Sequence, residues 1–129
     1  MPARPVAAAA SPVPRPRPLQ AELAAAAGAA MERALAPIAA ARVVIHHAAG
    51  SEAPRALAGK LRQAGAGEVE IRKVGFPVRS PSVRYFRAGD REKAAAACRL
   101  SFGTCRDELA DFTGYRPLPR AGTVEVWLP

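Results

Sequence analysis

Every aromatic residue of this chain (four phenylalanines, two tyrosines and one tryptophan) lies after Arg42. A core needs large apolar side chains, so only the later part of the sequence can build one. Before that point, seven prolines and a surplus of alanine fill residues 1–41. Ordering such a segment by itself would not offset the chain entropy it gives up. The sequence therefore reads as two parts. Residues 1–41 form an Ala/Pro-rich low-complexity linker, disordered or partly helical, and residues 42–129 form an 88-residue domain, large enough to fold without staples. Within the linker, "SPVPRPRPLQ" predicts an extended, polyproline-like chain. "LQAELAAAAGAAMERALA" predicts a marginal helix from Leu19 to about Ala36 with a thin apolar stripe.

The domain opens on "RVVIHH", a β-branched run that predicts a buried strand. Ser51 suits a helix N-cap, and Leu57, Leu61 and Ala64 then recur at helical spacing until Gly65 stops the helix. "EVEIRKV" alternates, with Val69 and Ile71 on one face and Glu68, Glu70 and Arg72 on a wet one. "GFPVRSPS" is a proline-marked loop, "VRYF" a short strand, and Asp90 caps a second helix from Arg91 to about Leu100. "LADFT" offers a further short strand, and "TVEVWLP" closes the domain with Val124, Val126 and Leu128 on one face. The order β-α-β-β-α-β predicts an α+β two-layer sandwich with two helices on one face of a small sheet.

His46 and His47 sit where chemistry is first to be suspected. Neighbours on a strand point to opposite faces, so these two imidazoles do not readily share a metal or a substrate. No nucleophile and no metal-ligand pattern stands beside them, and no catalytic residue, metal site or cofactor is expected. Cys98 and Cys105 match no zinc spacing. A disulfide and a pair of separate thiols, one buried and one in a loop, are the alternatives, with the separate thiols preferred.

Of the formal charge of +8, residues 42–129 carry +6, from 15 basic and 9 acidic groups. Seven cations between Arg72 and Lys93 face only Asp90 and Glu92 there. If the strands bearing Arg72 and Arg84 pair, a cationic stripe crosses the open sheet face. Arg72, Arg84, Tyr85 and Arg87 then become the candidate ligand-binding residues, with Tyr85 and Phe86 available for stacking. Glu125 points to that same face and predicts a cross-strand ion pair. A plain solvated charged surface is the competing reading. "PVAAAASPVP" is too broken by proline to make a good export signal. The alanine-rich segment, interrupted by Glu32 and Arg33, is too weakly apolar for a membrane span.

The stretches "VVIHHAAGSEAPRALAGKLRQAG" and "SPSVRYFRAGDREKAAAACRL" resemble the LytR-type C-terminal domain of the LytR/CpsA/Psr cell-envelope family. They follow its order of strand, small-residue turn, leucine-faced helix ending in glycine, strand, short I/V-x-Y strand and Ala/Leu helix. "DFTGYRPLPRAGTVEVWLP" is similar to the tail of envelope proteins carrying that domain, so the resemblance spans about residues 42–129. Where the family commonly has an Asn-Gly turn, this chain has His47-Ala48-Ala49-Gly50. The resemblance implies a non-catalytic module at the cell envelope, with an anionic cell-wall polymer or an envelope protein as partner. It transfers no catalytic residue, because the family's phosphotransferase activity belongs to a different domain. The alternative expectation is a cytoplasmic domain that binds nucleic acid through the basic sheet face.

Overall fold

A computed structural model describes residues 19–48, 50 and 52–129. The polyproline-like stretch up to residue 18 and the Ser51 cap fall outside them. The chain divides into two units, Met1–Ala30 and Met31–Pro129. Alanine, leucine and glutamate favour helix, and α1 runs over Leu19–Leu35 with no buried residue. Pro37 ends it in a 3-10 turn, Ala36–Ile38. No helix among the described residues is long and apolar enough to cross a membrane.

The second unit reaches back before Arg42, since Ile38 and Ala41 are fully buried in its core. It contains β1 (Arg42–His47), α2 (Ala53–Gln63), β2 (Glu68–Lys73), β3 (Ser82–Tyr85), α3 (Arg91–Phe102), β4 (Leu109–Asp111) and β5 (Thr123–Leu128). The five strands form one mixed sheet in the order β2-β1-β5-β3-β4. The fold is α+β, with α2 and α3 packed on one face. Val43 and Ile45 of β1, Val83 of β3 and Val124 and Val126 of β5 meet Leu57 and Leu61 of α2 there. α3 contributes the buried run Ala94–Cys98, whose small side chains let the helix lie close to the sheet. Gly65 follows α2 with φ +102°, a conformation that costs side-chain-bearing residues and ends the helix where expected.

Three sequence expectations change. Strands β2 and β3 do not pair. The crossover through α2 returns β2 parallel to β1, while β5 inserts between β1 and β3. β2 is therefore an edge strand, and its Ile71 stays 38% exposed. Asp90 precedes α3 but makes no side-chain cap. A 3-10 turn over Ala88–Asp90 leads into the helix instead, and the buried Asp90 carboxylate accepts the Gly122 N–H at 2.8 Å, tying α3 to the entry of β5. Finally, the cysteines are joined, against the separate thiols preferred from sequence. Cys98 is fully buried on α3. Gly103 (φ +79°) reverses the chain and brings Cys105 back to a Cα–Cα distance of 5.5 Å, within disulfide reach.

Candidate binding face

The helix-free face of the sheet is set by strand parity. The residues opposite Val43 and Ile45 are Arg42, Val44 and His46. Their register partners are Glu68, Glu70 and Arg72 on β2 and Thr123, Glu125 and Trp127 on β5. Arg84 of β3 stands across from Glu125. At the β2 side three arginines are paired with two glutamates. Arg42 reaches Glu68 at 3.6 Å and Glu70 at 3.1 Å, Arg72 reaches Glu70 at 3.2 Å, and Arg120 reaches Glu68 at 2.6 Å. A shallow depression of about 630 Å³ lies over this network. It is open and paired, so it offers no unmet charge.

The other half of the face is built differently. The His46 imidazole stacks on the Trp127 indole with centroids 4.1 Å apart and planes 8° from parallel. The Arg84 guanidinium carbon lies 4.3 Å from the same indole and 4.4 Å from the Phe112 ring. β5 runs between β1 and β3, so His46 and Arg84 approach Trp127 from opposite sides. Phe112 follows β4 and covers the far side of Arg84. The result is a four-layer stack, His46–Trp127–Arg84–Phe112, standing across three strand intervals. Rings of Phe86, Phe112 and Tyr115 meet edge to face or tilted at 5.8–6.2 Å and extend it. Each such contact adds on the order of 0.5–1 kcal/mol beyond area burial.

Glu125 lies beneath the stack. Its carboxylate accepts the Trp127 indole N–H at 3.1 Å and sits 3.7 Å from His46 Nε2, an ion-pair separation too long for a hydrogen bond. Burial pushes the Glu125 carboxyl up. The neighbouring imidazole, the indole N–H and the Arg84 charge outweigh that burial and hold it below the usual value. Asp111 is also held low, by hydrogen bonds from the Thr113 hydroxyl and backbone N–H. These bonds shape the turn that carries Phe112 and Tyr115 back over the sheet.

A cleft of about 310 Å³ opens between the stack and this returning loop. His46, Arg84 and Glu125 supply its polar groups, and Phe86, Phe112, Tyr115, Pro119 and Trp127 its apolar walls. An adjoining cleft of about 270 Å³, sharing Arg84 and Trp127, runs under Phe76 and Arg79. Three buried side-chain atoms in this region have no hydrogen-bond partner: His46 Nδ1, His46 Nε2 and Arg84 Nε. Leaving a buried donor unmatched costs about 1–3 kcal/mol. The two residues that carry them border the first of these clefts, but the three atoms themselves are sealed from solvent beneath its wall.

The candidate residues from sequence separate accordingly. Arg84 is at the centre of the stack. Arg72 shares its face but lies on the exposed edge strand, with β1 and β5 between it and Arg84, and is held by Glu70. Tyr85 is 8% exposed and turned into the helix-covered core with Val83, so strand parity removes it from the open face. Arg87 is exposed and donates to the Pro119 carbonyl at 3.1 Å, bracing the cleft wall rather than facing a ligand. His46 and His47 do point to opposite faces. Trp127 was the residue sequence reasoning missed, although its parity with Glu125 in "TVEVWLP" places both on one face. Among the described residues, no group of three or more His, Cys, Asp or Glu side chains is placed to hold a metal ion. No family model, curated protein or solved structure matches the chain.

Proposed function

We propose that the protein is a non-catalytic binding module of the cell envelope, which takes a wall polymer or an envelope partner on the open face of its sheet. The observation that carries this reading is the aromatic-walled cleft on that face, into which Arg84, His46 and Glu125 bring a guanidinium, an imidazole and a carboxylate. Concave, mostly apolar sites with a few convergent polar groups are where ligands bind. Rings, one guanidinium and one carboxylate make a recognition chemistry. The Cys98–Cys105 disulfide supports an oxidising compartment, as does the resemblance of residues 42–129 to an envelope domain.

The nucleic-acid alternative draws less support. Glu68, Glu70 and Glu125 share the face with its arginines, which weakens the field a polyanion would follow. Both faces of Trp127 are already covered, by His46 and Arg84, so a base has no open indole to stack on. Fractionation of the source cells, followed by co-sedimentation with isolated cell walls, tests the proposal. The expected result is protein in the envelope fraction and on walls. A cytosolic protein that binds DNA or RNA with steep salt dependence, and not walls, overturns it.

A further inference from the structure

A sheet in the order β2-β1-β5-β3-β4 ends on two edges. At β4 the edge is a strand of three residues, Leu109–Asp111, too short to take a further strand. β2 is six residues long, and every residue of it but Val69 is exposed. The ladder to β1 decides which of its backbone groups point outward. Glu68 donates its N–H to the Ala41 carbonyl at 3.1 Å, and Val74 donates to the His47 carbonyl at 2.8 Å. In a parallel pair the residues that bond to the neighbouring strand alternate, so Glu68, Glu70, Arg72 and Val74 face β1. The N–H and C=O groups of Val69, Ile71 and Lys73 therefore point away from the sheet, a row ready to pair with another strand.

The side chains select the occupant. Glu70 and Arg72 lie on the open face, and Ile71 stands between them on the helix side, 38% exposed. A depression of about 480 Å³ borders Ile71 and leaves space beside it. A second β2, running antiparallel about a two-fold axis at Ile71, sets Ile71 against Ile71, Glu70 against Arg72 and Val69 against Lys73. In this register the outward-bonding residues meet one another, and the charged pair on the open face is opposite in sign at both of its occurrences. A two-residue slip puts Glu70 against Glu70 or Arg72 against Arg72 on the axis, where like charges repel. A one-residue slip sets outward-bonding positions against positions already bonded to β1. The stretch "EVEIRK" is thus complementary to itself in one register.

We infer that β2 pairs with β2 of a second copy of this chain, antiparallel about a two-fold axis through Ile71. The two five-stranded sheets become one, with the helices of both copies on one side and both open faces on the other. The contact is independent of what the open face binds. A strand edge of this length is small against the roughly 800 Å² per partner of a stable interface, so the dissociation constant is on the order of 10–100 µM.

Sedimentation velocity of the intact chain, from about 1 µM to about 1 mM, tests this. The expected mass rises from one chain toward two and stops there. Arg72→Glu sets a second carboxylate against Glu70, and Glu70→Arg sets a second guanidinium against Arg72. Each alone should weaken association at least about tenfold. An equimolar mixture of the two variants should recover it, because the mixed pair restores opposite charges at both places, a recovery that misfolding does not produce. Ile71→Pro removes an outward N–H and spares the ladder to β1, and should weaken association to a similar degree. It carries the test should either charge variant unfold. A parent chain that stays monomeric throughout overturns the inference and leaves the edge to another protein's strand. Growth past two copies overturns it as well, since a two-fold contact closes on itself. So does a dimer indifferent to these variants, or a mixture of folded charge variants that does not recover.

Discussion

The two faces of the sheet share the same strands and follow opposite rules. On the helix-covered face, Val43, Ile45, Val83, Val124 and Val126 are all fully buried against α2 and α3. Their contribution is non-directional, since it scales with apolar area removed from water. On the open face the neighbouring positions are Val44, His46, Arg84, Glu125 and Trp127. These groups hold one another by geometry: a stacked imidazole, a guanidinium between rings and an indole N–H on a carboxylate. The first face makes the domain stable and would accept other aliphatic side chains of similar volume. The second leaves His46 Nδ1, His46 Nε2 and Arg84 Nε buried without a hydrogen bond, a cost that the apolar face does not carry. Stability and recognition are thus separated by a single residue step along each strand.

That contrast is most directly broken by truncating the covered face. Ile45→Ala deletes a fully buried side chain and should lower stability by about 3–4 kcal/mol in urea denaturation. It should leave the Trp127 emission of the folded protein unchanged, because His46, the next residue, points the other way. A shifted emission would mean that the faces are coupled through β1. The disulfide comes next. Its seven-residue separation sets a chain-entropy contribution of about 2.5 kcal/mol. Cys98→Ala/Cys105→Ser should therefore lose stability on that order in thermal melts, while co-sedimentation with isolated cell walls persists. The smallest effect belongs to the open face. The carboxyl of Glu125 titrates below its usual value in the folded state. Its contribution is therefore complete above the unfolded value, near 4.5, and is lost as pH falls through the lower folded value. Glu125→Gln should flatten the acid limb of the melting-temperature profile and leave the profile above about pH 6 parallel to that of the parent.

Much of the covered face was legible in the sequence, because periodicity alone reports which side of an element is dry. Tyr85 is the exception: the sequence reading offers it to a ligand, whereas its parity with Val83 takes it into the helix-covered core. "TVEVWLP" already separated Val124 and Val126 from Glu125. The open face was legible only in part. Arg84 was readable as an outward cation, but its pairing with Arg72 depended on which strands are neighbours. Aromatic residues on the loop after β4 gave no sign of where they return. The cysteines were likewise undecided, since two thiols seven residues apart meet or miss according to one turn at Gly103.

Composition and alternation by themselves determined where a core can form, which segments become helix or strand, and which side of each strand stays dry. Those are local properties, written in neighbours a few positions apart. Only the tertiary structure decided that β5 separates β2 from β3, and that His46, Trp127, Arg84 and Phe112 stand in one stack. The physical reason is that strand order and loop return come from long-range packing between segments whose own patterns permit several partners.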